Sequence, residues 1–229
     1  MGEIFKGLVD LVFPPTCHVC DSFSEQPLCA DCFSSFPLID PPLCRKCGKS
    51  CHLVVDECRE CRGRRYYFSI ARSAGLYEGN LKEAIHSLKY RNGRRLAPIF
   101  ARLMVEGMEE GLDIDLVTFV PLSSSKERRR GYNQARLLAL EISDLIDKPC
   151  IPALIQIKET MDQSKLSPRE RRENVRKAFL GVAGVDIRGR SLLLIDDVFT
   201  TGATVNECSK ALLASGAEDV HVLTLARSL

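Results

Sequence analysis

The sequence lacks several features that would place it in a broad class of protein. It contains no tryptophan, has few aromatic residues (7%) and carries a net charge of only +2. It has no apolar run long enough to cross a bilayer, so we expect no transmembrane segment and a soluble chain. So small a net charge does not by itself predict a polyanionic partner. Any case for phosphate or nucleic-acid binding therefore depends on local clusters of basic residues.

The first thirteen residues are apolar, but they do not have the pattern of an export signal. Glu3, Lys6 and Asp10 interrupt the apolar stretch, and no small-residue cleavage site follows it. The apolar residues recur at helical spacing, which predicts a short amphipathic helix packed on the domain behind it. Association of this helix with a membrane is the alternative. Because the pattern of an export signal is missing, we expect a cytoplasmic protein.

Cysteine divides the chain into two parts. Nine of the eleven cysteines lie between Cys17 and Cys61, where the sequence is also rich in proline and poor in regular apolar spacing. Such a segment cannot bury a core of its own and needs a metal or disulfides to hold it together. We therefore predict a Cys-rich module over residues 1–65 and a second domain over residues 66–229.

Short apolar runs alternate with helical patterns in the second domain. Runs over residues 70–77, 116–120, 191–195 and 220–225 predict strands, and helical stripes lie between them. Continuous apolar strands joined by helices indicate a parallel sheet covered on both faces. The predicted fold class is therefore α/β. Because ligands of such sheets bind at the carboxyl ends of the strands, the loops after Val120 and Ile195 are where we expect the chemistry.

Eight cysteines form four pairs, each with two residues between its members. The pairs are Cys17 and Cys20, Cys29 and Cys32, Cys44 and Cys47, and Cys58 and Cys61. Two such knuckles complete a tetrahedral four-thiolate site, so the eight cysteines predict two structural Zn²⁺ ions. Disulfides need an oxidising compartment, which the expected location argues against, and an iron–sulfur cluster is a rarer alternative for this spacing.

The spacing leaves the pairing of the knuckles open. We favour sequential pairing, in which each knuckle joins the next one along the chain. In the alternative, cross-braced pairing, Cys17 and Cys20 would join Cys44 and Cys47. Complete four-thiolate sets leave no position for Cys51 or for the nearby histidines as ligands.

The strongest chemical signal spans residues 192–204. An apolar strand leads into Asp196 and Asp197, and then into a turn and a helix. The turn is Thr200-Thr201-Gly202-Ala203-Thr204. Such a turn aims N–H groups and hydroxyls at a phosphate on the helix N-terminus, and the carboxylates suit ribose hydroxyls, directly or through Mg²⁺. The alternative is an ordinary acidic turn with Thr204 as the helix N-cap. A P-loop is excluded because no lysine follows the glycine.

This segment resembles the motif with which type I phosphoribosyltransferases bind 5-phosphoribosyl-1-pyrophosphate (PRPP). The resemblance implies that Asp196 and Asp197 hold the ribose hydroxyls of PRPP. It also implies that the five residues of the turn, Thr200, Thr201, Gly202, Ala203 and Thr204, cradle the 5′-phosphate.

Basic residues follow the strand that ends near Val120, in a segment that we expect to be a loop. Guanidinium groups suit the charge of pyrophosphate, the leaving group, which the corresponding loop of a phosphoribosyltransferase binds. The predicted PRPP-binding residues here are Ser123, Ser124 and Lys126. The predicted catalytic residues are Arg128 and Arg130, together with Asp196 and Asp197. A solvated basic turn is the alternative.

A second basic segment, residues 158–177, holds no clear apolar stripe. We predict a mobile loop that closes over the substrate and excludes water from a cationic sugar transition state. The predicted lid residues are Lys165, Arg169, Arg172 and Asn174. An exposed charged helix over residues 169–176 is the alternative, and it is compatible with a lid.

Further motifs extend the resemblance to nearly the whole chain. They are Leu88-Lys-Tyr90, Arg128-x-Arg130-Gly-Tyr-Asn-Gln134, Gln163-x2-Leu166-x5-Arg172-x-Asn174 and Leu223-Thr-Leu-Ala-Arg227. With the cysteine knuckles and the acidic turn, they resemble the ComF family, phosphoribosyltransferase-like proteins with an N-terminal double zinc ribbon that also include GntX. The resemblance implies a role in natural competence, with PRPP, Mg²⁺ and an unknown acceptor as ligands. It also implies DNA-uptake proteins, such as a competence helicase, as partners. The additional Cys51 departs from the family pattern.

Two other functions compete with that of a transferase. The basic segments over residues 89–95, 128–130 and 165–177 suit the phosphates of single-stranded DNA, but the few aromatic residues do not predict sequence-specific stacking. A zinc-stapled scaffold that docks another DNA-uptake protein needs no chemistry at all. The acceptor of a phosphoribosyl group is not predictable, because every assigned residue serves PRPP.

Overall fold

A computed structural model describes residues 14–159 and 167–228 of the chain. The predicted N-terminal helix lies outside these residues. In chain order the elements are α1 (Ala30–Ser34), β1 (Ala71–Leu76), α2 (Gly79–Tyr90), a 3₁₀ turn (Arg94–Leu96), α3 (Ala97–Glu106), β2 (Leu116–Phe119), α4 (Ser124–Arg130), α5 (Gln134–Ile146), β3 (Leu154–Gln156), α6 (Pro168–Val175), β4 (Phe179–Gly181), β5 (Ser191–Phe199), α7 (Ala203–Ala214) and β6 (Asp219–Arg227). Within the described residues, no helix combines the length and the apolar character needed to cross a membrane.

Four parallel strands form the main sheet, in the order β1-β6-β5-β2. Alternate residues of β5 face opposite layers. Leu193 and Ile195 pack with α2, α3 and α5, whereas Leu192 and Leu194 pack with α7 and β4. A strand covered on both faces needs apolar residues at every position, as the sequence has them. The predicted parallel sheet flanked by helices is confirmed.

Two elements differ from the sequence predictions. β5 does not end before the acidic pair but continues to Phe199, with Asp196 in register with Thr224 of β6. The basic segment after β2, predicted to be a loop, contains the short helix α4, which ends at Gly131 in the left-handed region (φ +82°). A helix that ends on glycine needs no strain to turn the chain, since glycine adopts this conformation freely.

The second basic segment contains α6, so the helical alternative describes it better than a loop does. The helix begins with a capping box: the Ser167 side chain accepts from the N–H of Glu170, and the Glu170 carboxylate accepts from the N–H of Ser167. Lys165 and the rest of residues 160–166 lie outside the described residues.

The Cys-rich segment packs along the free edge of β1. The N–H of Ile39 donates to the carbonyl oxygen of Ala74 (3.1 Å), and the N–H of Leu76 donates to that of Pro37 (2.8 Å). Phe36 is buried in the same core as Phe100 of α3, with 6.5 Å between the ring centroids. The segment therefore joins the sheet and its core. The domain boundary near residue 65 stays a prediction.

Candidate functional site

A cavity of about 470 Å³ opens at the carboxyl ends of β2, β5 and β6. The predicted site residues that line it are Asp196, Asp197, Thr200, Thr204, Lys126 and Arg130. Predicted residues from two separate segments of the sequence therefore meet at the edge of the sheet where ligands of α/β proteins bind.

The acidic pair lies inside β5 and is buried. Asp196 is 9% exposed and Asp197 is 5% exposed, and the N–H of Asp197 donates to Asp196 Oδ1 at 2.9 Å. Lys89, in the last turn of α2, places its Nζ 3.0 Å from Asp197 Oδ2. Two buried carboxyl groups and one ammonium thus share the floor of the cavity.

The charges of these three groups depend on one another. Burial, together with the neighbouring charge of Asp197, raises the pKa of Asp196 to about 8. Burial is the largest single effect on Lys89 and disfavours its ammonium, but the charge of Asp197, its hydrogen bond to Lys89 and the charges of Tyr77 and Asp196 together raise the pKa of Lys89. Near neutral pH this raised pKa favours the protonated form of Asp196 beside the Lys89–Asp197 ion pair, and a protonated carboxyl group donates as well as accepts.

The turn after β5 is shaped by Gly202. Its φ of +73° lies in the left-handed region, and a Cβ at this position would be 2.6 Å from Cζ of Phe199. Only glycine meets both conditions without displacing the ring. The turn ends on the N-terminus of α7, where the first N–H groups have no acceptor within the helix and, with the helix dipole, favour an anion.

The turn has a second side, which the sequence did not reveal. Thr201, Gly202 and Ala203 line a separate cavity of about 350 Å³, whose opposite wall includes Arg64 and Arg65. Val175 of α6 lines both cavities. The turn therefore lies between the cavity with the acidic pair and a second cavity with two arginines.

The basic residues after β2 divide into those that reach the cavity and those that do not. Lys126 and Arg130 line it, whereas Arg128 and Ser124 are exposed on α4 and do not. Ser123 is buried, with its Oγ 3.2 Å from that of Ser125. The guanidinium of Arg130 also lies over the ring of Tyr90, 5.0 Å from its centroid.

Helix α6 reaches the cavity through a residue that was not among the predicted lid residues. Arg171 lines the cavity, while Arg169 is exposed and Asn174 is half-buried. The other two predicted lid residues, Lys165 and Arg172, have no described side chain. The helix therefore reaches the cavity through Arg171, and its role as a lid stays a prediction.

Lys89 is the other residue that the sequence did not assign to this site, since it was placed in the basic segment over residues 89–95 that suits the phosphates of DNA. Its spacing gives a signal that identifies it: Leu81 and Ile85 are buried on α2, and Lys89 continues the same face at i, i+4 and i+8. A lysine on a buried face needs a buried anion, which here is Asp197.

The Cys-rich segment gathers its thiols into two groups. One contains Cys17, Cys20, Cys29 and Cys32, and the other contains Cys44, Cys47, Cys58 and Cys61, with the sulfur atoms of each group within 4.8 Å of one another. This arrangement is the sequential pairing. Cys51 lies outside both groups, and its Sγ is 3.3 Å from the carbonyl oxygen of Lys49.

The sulfur spacing fits zinc. A tetrahedral ion with bonds of about 2.3 Å needs sulfur atoms about 3.8 Å apart. The distances are 3.8 Å for Cys20–Cys29, 4.0 Å for Cys44–Cys61, 3.8 Å for Cys47–Cys58 and 3.7 Å for Cys58–Cys61. Backbone N–H groups point at two of the sulfurs, Cys29 N at Cys17 Sγ (3.4 Å) and Cys58 N at Cys44 Sγ (3.2 Å), as is usual for thiolate ligands.

Comparison with known proteins covers both parts of the chain. Residues 8–63 match the family model of the double zinc ribbon domain. The chain is similar to Competence protein F of Haemophilus influenzae, with 31% identity over 90% of this chain and 92% of that protein. It is also similar to DNA utilization protein YhgH of Escherichia coli O157:H7, with 30% identity over 96% of this chain and 100% of that protein.

Solved structures give a weaker likeness. Glutamine phosphoribosylpyrophosphate amidotransferase from B. subtilis shares 24% identity over 60% of this chain and 26% of its own, with a TM-score of 0.35. A score of this size supports no argument about function, whereas the sequence relatives match both the Cys-rich segment and the α/β sheet.

Proposed function

Because the chain belongs to the ComF family of competence proteins, we propose that it is a PRPP-binding phosphoribosyltransferase that serves the uptake or use of external DNA. The reaction we propose breaks the bond between C1 of the ribose and pyrophosphate. It forms a bond from C1 to the nucleophile of an acceptor, whose proton passes to solvent.

One observation carries the proposal: the acidic pair, Thr200 and Thr204 of the turn, and Lys126 with Arg130 all line one cavity. PRPP has a ribose diol flanked by a phosphate at one end and a pyrophosphate at the other. The same cavity brings together buried carboxyl groups, a helix N-terminus and a pair of cations, which are the groups that these three parts of PRPP need.

The charge state of the floor suits a diol. Each ribose hydroxyl both donates and accepts. The Asp197 carboxylate accepts hydrogen bonds, and the protonated Asp196 also donates. We propose that Lys89 keeps the pair in this mixed state. Lys126 and Arg130 would stabilise the charge that develops on the departing pyrophosphate, and Arg171 on α6 would help to exclude water.

The side chains that line the cavity also indicate how Mg²⁺ would bind. Two carboxyl groups suit this ion, but the Lys89 ammonium already occupies the cation side of Asp197. Magnesium commonly binds substrate phosphates with few protein ligands. We therefore propose that Mg²⁺ is held by the pyrophosphate of PRPP, and that Asp196 and Asp197 contact the ribose directly.

Calorimetry with Mg²⁺ and PRPP tests the proposal. Asp197→Asn should weaken PRPP binding at least tenfold, about 1.4 kcal/mol, because it removes the charged acceptor for the diol. Asp144→Asn, on the exposed face of α5, is the matched control and should bind as the wild type does. A wild-type protein that binds no PRPP would contradict the proposal. Release of pyrophosphate in a screen of bases and amines would identify the acceptor.

An exposed aromatic residue favours a second candidate function, the binding of single-stranded DNA. Tyr90 is 57% exposed, sits at the mouth of the same cavity and stacks with Arg130. Aromatic rings beside cations suit successive bases and phosphates without reading sequence. If this function holds, DNA and PRPP should compete, since both would use Arg130. The zinc ribbons would then dock partners among the proteins of DNA uptake.

A further inference from the structure

Arg227, the last residue of β6, is a buried cation whose contacts lead to the Cys-rich segment. The residue is 2% exposed. Its Nη1 donates to the carbonyl oxygen of Cys47 at 2.6 Å and lies 3.8 Å from Cys47 Sγ. Its Nε has no hydrogen-bond partner among the described residues. Over residues 14–159 and 167–228, no carboxylate forms an ion pair with this guanidinium.

A buried guanidinium needs a negative charge nearby, because burial removes the water that would otherwise solvate it. Cys47 belongs to the second four-cysteine group, whose sulfur spacing fits zinc. Four thiolates around one Zn²⁺ carry a formal charge of about −2. Glu60, whose pKa the charge of Arg227 helps to lower, is ion-paired with Lys49 and not with Arg227. The metal–thiolate centre would therefore supply an anion in direct contact with the guanidinium.

The same guanidinium also meets the turn after β5. Its central carbon lies 5.3 Å from the centroid of the Phe199 ring. Phe199 is buried, and its ring lies against Gly202, where a Cβ would be 2.6 Å from Cζ. The position of the ring and the path of the turn are thus fixed together. Within the sheet, Arg227 is in register with Phe199, so the contact joins neighbouring strands.

We propose that Arg227 is a positioning residue that connects the second four-cysteine site to the turn after β5. The metal–thiolate centre holds the guanidinium, the guanidinium holds the Phe199 ring, and the ring sets the turn at Gly202. The second half of this chain of contacts rests on the proposed function, since it takes a phosphate as the ligand of the turn. The proposal gives a role to the C-terminal motif over residues 223–227, most of which PRPP binding does not use.

A chelator titration of the zinc-loaded protein tests the metal half, because the chain contains its own reference site. In Arg227→Met, the ion of the Cys44 group should be lost at a chelator concentration at least tenfold lower than in the wild type. The ion of the Cys17 group should keep its affinity. Arg227→Lys retains the charge and should hold both ions. Visible absorption of the Co²⁺-substituted protein reports thiolate coordination at the affected site.

Two further variants keep the metal test decisive. Arg227→Gln keeps a donor for the Cys47 carbonyl but no charge, and it repeats the test if Arg227→Met does not fold. Arg72→Met is the matched control. Arg72 is also a buried arginine, 6% exposed, and it contacts the carbonyl of Arg45 in the Cys-rich segment, but it is ion-paired with Glu109. Its loss should lower stability without a selective loss of one ion.

Calorimetry with ribose 5-phosphate tests the second half. Arg227→Met and Arg227→Lys should both weaken binding threefold or more, because neither side chain stacks on the ring as a guanidinium does. Phe199→Leu should weaken the binding of ribose 5-phosphate by a similar factor and leave both metal affinities unchanged. A general loss of structure would change the metal affinities as well.

The outcomes separate the steps of the proposal. If Arg227→Met loses both ions equally, or neither more readily than the wild type, the charge link to the Cys44 group is wrong. If the Arg227 and Phe199 variants bind ribose 5-phosphate as the wild type does, the link to the turn is wrong. If the wild type binds no ribose 5-phosphate, the proposed function and the second half fail together, and the chelator titration still decides the metal half.

Discussion

Replacing Lys89 with methionine should destabilise the protein more than the loss of any exposed lysine. The Lys89 side chain is 17% exposed and its Nζ lies 3.0 Å from a carboxylate that is 7% exposed. At an effective dielectric constant near 20, unit charges 4 Å apart attract by about 4 kcal/mol. Removing one partner of a buried pair typically costs about 3–5 kcal/mol, because the other charge stays buried. For a chain of this size that lowers the Tm by about 6–20 °C.

The stability that Lys89→Met loses should depend on pH. An unfolded aspartate titrates near pH 3.9, and the folded pKa of Asp196 is raised to about 8 by burial and by Asp197. Between these values the folded state binds more protons at Asp196, so the contribution of Asp196 to stability is greatest below pH 4 and falls as pH rises towards 8. Without Lys89 the carboxyl groups have no buried cation beside them, and this fall should be steeper. Lys89→Met should therefore lose less stability at pH 5 than at pH 8.

Urea unfolding at pH 5 and pH 8 measures the effect. Lys82→Met is the matched control, since Lys82 lies on the same helix and lines the same cavity but is exposed. The double variant Lys89→Met/Asp197→Asn should recover much of the loss at pH 8, because it also removes the Asp197 charge that Lys89 compensates. An equal loss at both pH values would show that packing, and not charge, is the role of Lys89. A variant as stable as the wild type at pH 8 would refute the reasoning.

Two other predictions concern the metal and DNA. Elemental analysis should find two zinc ions per chain, unchanged by Cys51→Ser and reduced to one by Cys58→Ser; one ion in the wild type would show that one cysteine group is not a metal site. If DNA is a ligand, its affinity should fall steeply between about 50 and 200 mM salt, and alanine at Arg169, Arg171 and Arg172 should reduce the salt slope by several units. Unchanged single-strand affinity in that triple variant would remove the second basic segment from any DNA site.

The strands of the main sheet could be predicted because each is marked by a pattern of neighbouring residues in the sequence. A run such as Leu192–Ile195 is short and apolar at every position, as a strand between two covered faces needs to be. The end of β5 could not be predicted in this way. Aspartates usually terminate an apolar run, but here β6 continues the ladder beside them, with Val198 in register with Ala226. That pairing partner lies almost thirty residues away in the sequence.

The parts of the candidate site that lie within one segment could be predicted from the sequence. The contacts between distant segments could not. The turn over residues 200–204 carries its own pattern, and so do the four knuckles. The contact of Lys89 with Asp197 spans more than a hundred residues, and only the packing of α2 against the sheet creates it. The pairing of the knuckles was open for the same reason, because it depends on the path of the chain between them.

The position of the Cys-rich segment gives a physical reason for its fusion to the α/β sheet. β1 is an edge strand, and an open edge exposes N–H and C=O groups that can pair with another chain. Pro37–Ile39, between the two cysteine groups, cover this edge through the hydrogen bonds to Ala74 and Leu76. The opposite edge, β2, is covered by the chain at Pro149–Ile151, which is an ordinary connection of the fold. The β1 edge, in contrast, is covered by the Cys-rich segment, which has too few apolar residues to fold by itself. Metal binding can supply the folding energy that this segment lacks. Zinc would then stabilise the sheet as well as its own ligands.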